Sequence, residues 1–236
     1  MAGNNFIIVQ HMAWEGPGRH LVTALKENGV SYQIVEAWHE PLPPVAAFDG
    51  MIVLGGSPNV DEEEQFPYLR PLKERIREVI ATGRAYLGFC LGHQLLAHVL
   101  GLTVGPLPRK SVGFIEGMLT DKGMAHPVFQ GLPVRFTMFK WHGQGIKSSL
   151  PPGQDILATS AAGVEALGLN GNPRVVGLQF DNHAGAQDVQ QWLEHDREWA
   201  LSGTEVIPED LIAAAKSQEE SMGLEFRRLM RNFLHI

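Results

Sequence analysis

Short apolar runs separated by turn residues predict four strands in the first ninety residues. The run 6–9 is short, β-branched and uninterrupted, which is typical of a buried strand. The runs occupy residues 6–9, 32–35, 51–54 and 85–87.

Apolar residues at helical spacing lie between these strands. Leu21, Ala24 and Leu25 share one helical face, and Asn28-Gly29 is a typical helix end. A second apolar face precedes Gly83 and consists of Leu69, Leu72, Ile76, Val79 and Ile80. Strands that alternate with helices indicate a mostly parallel sheet with helices on both faces, and such sheets carry their sites at the carboxyl ends of strands.

The pattern changes after residue 102. Five short strand candidates follow, separated by Gly, Pro and Asn turns, and no strong helix is expected between them. They predict an antiparallel extension whose last strand rejoins the main sheet. The candidates are 112–119, 135–140, 156–159, 164–169 and 175–180, while a helix is expected over 186–201 and one or two helices over 209–235. In the last helical segment, the residues expected to pack in the core are Leu224, Phe226, Leu229, Met230 and Phe233.

Composition narrows the function classes. The 236 residues are 44% hydrophobic and 19% charged, which suits a single domain over residues 1–236. The net charge is −7 and no Lys/Arg cluster is present, so we expect no nucleic-acid partner. One cysteine excludes an internal disulfide, and no signal peptide or membrane-length apolar run is visible. We therefore expect a cytoplasmic protein with no membrane partner.

The strongest chemical motif surrounds that single cysteine. Gly88 and Gly92 lie two residues either side of Cys90, between a predicted strand and a predicted helix. This is the nucleophile-elbow arrangement, a strained turn that leaves no room for side chains at the two glycines. The N-terminus of the following helix should lower the pKa of the thiol and can bind an oxyanion. The alternative is a buried structural cysteine, which the two glycines make less favourable.

Residues 88–94 resemble the active-site segment of class I glutamine amidotransferases, the triad type with a cysteine nucleophile. The similarity covers nearly all of residues 5–195 and is closest to stand-alone GMP-synthase-like amidotransferase domains. It implies a flavodoxin-like α/β fold: a central, mostly parallel sheet with helices on both faces and a small antiparallel extension. The chain would be a single amidotransferase-like domain with a C-terminal helical extension over about 204–236.

The resemblance also implies an activity and partners. Cys90 would attack the side-chain amide of glutamine or a related small amide, release ammonia, and form a thioester that water converts to glutamate. The implied partner is a separate ammonia-accepting synthase subunit, and a homo-oligomer is left open. No cofactor and no metal are expected.

Further positions along the chain match family residues. Gly55 and Gly56, after the third strand, and Leu91, after the nucleophile, would form the oxyanion hole. Gln94 matches a position that holds the substrate. Residues 141–144 are similar to a Trp-His-Gly-Asp segment with glutamine in place of the acid, which suggests a substrate-binding role for His142. The alternative for this segment is a turn after the 135–140 strand, with its tryptophan in the core.

One match is broken at the positions that matter most for catalysis. The family pattern Gly-x-Gln-Phe-His-Pro-Glu is here Gly-Leu-Gln-Phe-Asp-Asn-His over residues 177–183. Asp181 therefore occupies the position of the base, and His183 occupies that of the acid. An ionised Asp181 would raise the pKa of the Cys90 thiol, which opposes nucleophile activation.

Three interpretations of this exchange stay open. In the first, His183 or His142 is the base and Asp181 orients it, so that Cys90, His183 and Asp181 are all catalytic. In the second, the protein is a catalytically degenerate binding or regulatory protein on the same scaffold. The third is a metal site formed by Cys90, Asp181 and His183, which has the weakest support because no ligand spacing accompanies it.

Overall fold

A computed structural model describes residues 5–147 and 153–236, and its strands form one sheet. The strand order is β2-β1-β3-β4-β9-β8-β7-β5-β6. The strand bounds are β1 Asn5–Gln10, β2 Ser31–Glu36, β3 Gly50–Val53, β4 Ala85–Phe89, β5 Val104–Leu119, β6 Arg135–Ile146, β7 Gln154–Ser160, β8 Gly163–Leu169 and β9 Asn172–Leu178.

The parallel half of the sheet carries the predicted elbow. Strands β1, β2, β3, β4 and β9 pair in parallel, and Val53 on β3 lies opposite Gly88 on β4. The segments that follow β3, β4 and β9 therefore emerge side by side at one edge of the sheet, which places residues 54–57, 90–91 and 179–183 together.

The antiparallel extension is confirmed, and it is longer than the sequence pattern predicts. β5 and β6 pair over most of their length, with an irregularity between Pro106 and Ser111. The predicted strand 135–140 continues to Ile146, so residues 141–144 lie within a strand and not in a turn after it. β9 then joins the two halves, since it pairs with β4 in parallel and with β8 in antiparallel orientation.

Alternating residues of the central strands face two cores. Along β1, Ile8 packs toward α1 and α7, whereas Ile7 and Val9 pack toward α2 and α3. The helix bounds are α1 Arg19–Glu27, α2 Leu69–Ala81, α3 Leu91–Val99, α4 Asp121–Ala125, α5 Ala186–His195, α6 Arg197–Leu201 and α7 Pro208–Leu234. A third apolar cluster, between β6, α5 and the first half of α7, contains Trp141 and Trp192.

One helix prediction and one burial prediction need correction. The helix expected over 186–201 is two helices, because α5 ends at His195 and α6 begins at Arg197. The segment 209–235 is the single helix α7, whose predicted apolar positions are buried except Leu224, which is 54% exposed. No helix in the described ranges is long and apolar enough to span a bilayer.

Candidate active site

Cys90 lies at the junction of β4 and α3 in a strained backbone conformation. Its φ of 45° and ψ of −101° make it the one non-glycine residue with positive φ in the described part of the chain. The two glycines are required by packing. A Cβ on Gly92 would lie 2.2 Å from the carbonyl oxygen of Val53, and one on Gly88 would lie 2.4 Å from the carbonyl carbon of Gly92. The predicted elbow geometry is therefore confirmed.

The Cys90 thiol borders a cavity of about 540 Å³. The residue is 7% exposed, and its Sγ lies 3.7 Å from the backbone oxygen of Trp141, to which the thiol can donate. The N–H of Leu91, at the first turn of α3, is directed at the sulfur and favours the thiolate. The nucleophile position thus combines access to a cavity with a backbone donor.

Gly55 lies beside Cys90, as the parallel pairing of β3 and β4 predicts. A Cβ on Gly55 would lie 3.3 Å from Cβ of Cys90, and one on Gly56 would collide with the buried ring of His11. Both glycines border the cavity, and their N–H groups have no hydrogen-bond acceptor among residues 5–147 and 153–236. The backbone N–H of Leu91 is directed at the sulfur, while Gly55 and Gly56 border the same cavity.

Asp181 and His183 both border the cavity and are almost fully buried. Oδ1 of Asp181 lies 3.8 Å from Nε2 of His183, and neither side chain has a hydrogen-bond partner in the part of the chain that the structure describes. The His183 ring packs edge-on against Phe89, at 4.6 Å between centroids, and against Trp192 at 5.9 Å. The imidazole is thus fixed by aromatic contacts and not by hydrogen bonds.

The electrostatics of Cys90 differ from the sequence prediction. Burial raises the pKa of the thiol well above its usual value, and the carboxyl groups of Asp181 and Glu15 raise it further. Lys140 and the Leu91 N–H act in the opposite direction but do not outweigh burial. The start of α3 and Asp181 therefore each act on the Cys90 pKa in the expected direction, but burial outweighs the helix terminus and the net pKa is raised.

The two exchanged residues are both shifted toward their neutral forms. Burial raises the pKa of Asp181 well above its usual value, Lys140 lowers it, and Glu165 raises it. Burial, followed by the charge of His20, lowers the pKa of His183 to about 3. His183 is therefore a neutral imidazole near neutral pH.

A buried ion pair that sequence reasoning missed lies within electrostatic reach of the site. Lys140 on β6 is 0% exposed and pairs with Glu165 on β8, whose other oxygen accepts a 2.6 Å hydrogen bond from Ser160. Its positive charge acts on both Cys90 and Asp181. The sequence does give one indication of this buried ion pair, because Lys140 interrupts the mostly apolar stretch 136–141.

Gln94 and His142 border the same cavity. Nε2 of Gln94 donates to the Gln144 backbone oxygen and to Oε1 of Gln179, both at 3.1 Å. Nδ1 of His142 lies 2.6 Å from that Gln144 oxygen, so Nδ1 carries the proton and Nε2 is left as an unpaired acceptor. Burial, with a smaller contribution from Lys140, lowers the pKa of His142.

Further cavity residues come from loops that the sequence analysis did not connect. Glu15 follows β1, Asp196 separates α5 from α6, and Trp199 lies on α6. Each is an ordinary loop or helix residue in sequence, and only the fold brings them together. No group of three or more His, Cys, Asp or Glu side chains in the described ranges is arranged to hold a metal ion.

Comparison with known proteins agrees with this geometry. Residues 18–183 match the family model described as glutamine amidotransferase class-I. The glutamine amidotransferase-like protein YfeJ of Salmonella typhimurium is 30% identical over 197 residues, which cover 80% of each chain. A glutamine-hydrolysing GMP synthase of Thermomicrobium roseum is 37% identical over 129 residues, which cover 55% of this chain but only 22% of that protein.

The fold agrees with a solved structure over its whole length. A crystal structure of a glutamine amidotransferase from Thermotoga maritima superposes with a TM-score of 0.89, at 23% identity, and the match covers 100% of both chains. The expected flavodoxin-like α/β architecture is confirmed.

Proposed function

Because this chain belongs to the class I glutamine amidotransferase family, we propose that it hydrolyses the side-chain amide of glutamine or a related small amide, with Cys90 as nucleophile. The observation that carries the proposal is the conformation of Cys90. Its strained backbone places the thiol at the edge of the cavity, with the N–H of Leu91 directed at the sulfur and Gly55 beside it. Such strain persists only where surrounding structure enforces it, and it concentrates at functional sites.

The backbone donors would hold the oxyanion of the tetrahedral intermediate. The N–H of Leu91 is directed at the sulfur, and the N–H groups of Gly55 and Gly56, which border the same cavity, have no acceptor among residues 5–147 and 153–236. Removing one such donor typically slows amide or ester cleavage by about 10²–10³-fold. Gln94 and His142 would orient the substrate, since both border the cavity and Nε2 of His142 is an unpaired acceptor.

Asp181 is the proposed proton acceptor in place of the family histidine. As Sγ of Cys90 bonds to the amide carbon, the carboxylate of Asp181 takes the thiol proton. It then gives this proton to the amide nitrogen, the C–N bond breaks, and ammonia leaves. In the second half, Asp181 takes a proton from water as the water attacks the thioester, and the thiol leaves with that proton.

The raised pKa of Asp181 supports this role, because a carboxylate of ordinary pKa is too weak a base for a thiol. The active form of the pair holds one proton between Cys90 and Asp181, and Lys140 supplies the compensating positive charge.

His183 is a positioning residue: as a neutral imidazole it can donate from Nε2 to Asp181 once the 3.8 Å gap closes. We expect slow turnover, because burial opposes the charged forms of both Cys90 and Asp181.

One observation favours a second candidate, a degenerate binding or regulatory protein. Cys90 is shifted toward its neutral form and lies beside a carboxyl group, in contrast to the imidazole that activates a thiol in the family. In that case the cavity would bind an amide without cleaving it. The ammonia acceptor in the catalytic case, a separate synthase subunit or simply solvent, is implied by the family alone.

The test is release of ammonia and glutamate from glutamine by purified protein, with Cys90→Ala and Cys90→Ser as the decisive variants. We expect slow release by the wild-type protein and loss to background in both variants, with circular dichroism unchanged. Glu74→Gln, at an exposed position of α2, is the matched control and should keep wild-type activity. Equal release by wild type and Cys90→Ala would reject hydrolysis, and saturable glutamine binding without turnover would favour the degenerate protein.

A further inference from the structure

Three carboxyl groups from separate loops meet in the cavity that holds Cys90. Glu15 follows β1, Asp181 follows β9, and Asp196 separates α5 from α6. All three border the same cavity, and the pKa of Glu15 is raised to about 8 by burial and, to a smaller extent, by the charges of Asp196 and Asp181. Like charges so placed are stabilised by a cation between them.

Glu15 is the clearest of the three as a ligand-binding group. It is 6% exposed, it borders the cavity, and its Oε2 has no hydrogen-bond partner within residues 5–147 and 153–236. Buried carboxyl oxygens in folded proteins are nearly always paired with a donor. An unpaired one that faces a cavity is explained by a donor that arrives with the ligand.

Aromatic rings line the cavity beside these carboxyl groups. The indoles of Trp141 and Trp199 lie 6.1 Å apart at 35°, and Trp192 packs against Trp141 at 6.0 Å. Tryptophan is the side chain whose face attracts cations most strongly. The protein already uses this property here, because Nζ of Lys110 lies 4.7 Å from the centroid of the Trp199 ring.

The lining of the cavity carries more carboxyl groups than cationic side chains. Lys110 is the one lysine or arginine that borders it in the described ranges, and its ammonium also donates to the Trp199 backbone oxygen at 2.6 Å. Three carboxyl groups therefore share a single cation from the lining. Burial holds Glu15 and Asp181 toward their protonated forms, and a cation between the carboxyl groups would favour their ionised forms, whereas an anionic ligand would oppose them. A neutral ligand without a donor would leave Oε2 of Glu15 without a hydrogen bond.

We propose that this cavity binds a small amide whose other end carries an ammonium group, held by Glu15 and Asp196 against the rings of Trp141 and Trp199. The placement of the amide at Cys90 rests on the proposed function, whereas recognition of the ammonium group does not. Substrate choice would then be set by Glu15 and Trp199, two residues outside the elbow and outside the exchanged Asp181/His183 pair.

Three matched amides test the charge preference: 6-aminohexanamide, hexanamide and adipamic acid. They share a primary amide and differ at the far end, which is an ammonium, a methyl or a carboxylate group. Binding is measured in Cys90→Ala, so that turnover cannot interfere, through the fluorescence of the tryptophans that line the cavity. We expect 6-aminohexanamide to bind about 10- to 100-fold more tightly than hexanamide, as for a charge-assisted hydrogen bond, and adipamic acid to bind most weakly.

Two variants assign the preference to residues. In the Cys90→Ala background, Glu15→Gln should bring the affinity for 6-aminohexanamide close to that for hexanamide, whereas the Glu74→Gln control should leave the preference intact. Trp199→Leu should reduce the preference independently, while Trp199→Phe should retain part of it. Because Trp199 is 37% exposed, this second pair of variants tests the preference independently of Glu15→Gln.

Equal affinity for the three amides, or no saturable binding of any, would overturn the proposal. So would a cation preference that survives both Glu15→Gln and Trp199→Leu. A protein that prefers the cationic amide but never releases ammonia would refute the proposed hydrolysis and leave this inference standing, so the two failures are distinguishable.

Discussion

Oδ1 of Asp181 faces Nε2 of His183 at 3.8 Å, and within the described ranges both side chains lack any other polar partner. A carboxyl group thus stands next to the thiol of Cys90, and the imidazole lies beyond it. The family arrangement implied by the sequence places the imidazole next to the thiol and the carboxylate beyond. In the proposed reaction, the exchange therefore makes Asp181, and not an imidazole, the group that moves the proton.

Asp181→Asn should lower turnover and yet increase alkylation of the thiol. Turnover needs a group that takes and returns a proton, and loss of a general base typically costs about 10²–10⁴-fold in rate. Alkylation by iodoacetamide needs only preformed thiolate, and removal of the Asp181 carboxyl group lowers the pKa of Cys90. Both rates are measured near neutral pH, with His142→Gln as a comparison. A parallel fall in both rates would instead make Asp181 the orienting partner of a catalytic histidine.

Restoring the family order with Asp181→His plus His183→Glu should raise glutamine hydrolysis, by about 10²-fold or more. His183→Glu alone should not, because a carboxylate placed against the rings of Phe89 and Trp192 would lack a cationic partner. Ammonia release is measured for the double variant and for each single variant, and the difference gives the coupling between positions 181 and 183. Slower hydrolysis by a well-folded double variant would contradict the proposed roles.

Lys140→Met should be strongly destabilising, by about 3–5 kcal/mol, because it leaves Glu165 as an unpaired buried charge. The double variant Lys140→Met/Glu165→Gln should recover most of this loss while keeping a partner for Ser160. In the recovered protein the thiol pKa should be higher than in wild type, since the cation that favours the thiolate has gone. The pH dependence of iodoacetamide alkylation measures this shift. An unchanged alkylation profile would show that Lys140 serves folding alone.

Glu15→Gln should stabilise the protein at neutral pH but not in acid. The folded-state pKa of Glu15 is raised from 4.5 to about 8, so the folded protein keeps a proton that the unfolded chain releases, and stability falls as pH rises through this window. The advantage of the variant should grow from near zero below pH 4.5 to roughly 3 kcal/mol at pH 7 and level off above pH 8. Urea unfolding of both proteins across this range measures it. A difference independent of pH would mean that Glu15 is ionised in the fold.

The sequence was sufficient for most of the parallel half of the fold. Runs such as 51–54 and 85–87 are short, apolar and followed by glycines, so both the strands and their common edge could be predicted. The length of strands β5 and β6 was underestimated, because Pro106 and the charged pair Arg109-Lys110 are typical of a loop. This segment is extended because it pairs with β6, and no local sequence pattern indicates that pairing.

The candidate site was predictable where one contiguous segment forms it. Cys90 and its flanking glycines could be identified because the elbow is local in sequence. Glu15 and Asp196 could not, since nothing near either residue indicates that they share a cavity. The net shift of the Cys90 pKa could not be predicted from the sequence either. It depends on how deeply the thiol is buried, because burial raises the pKa and the helix terminus lowers it.

The tight packing around Gly88 and Gly92 has a consequence for how such proteins diverge. The elbow keeps its shape because β3 and α3 leave no space at the two glycines, and this constraint is independent of whether any reaction takes place. Side chains that reach into the cavity from β9 or from the loop after β1 carry no comparable restriction. A lineage can therefore exchange its proton-transfer residues while the nucleophile turn stays geometrically intact, and turn shape alone is a poor guide to which relatives remain catalysts.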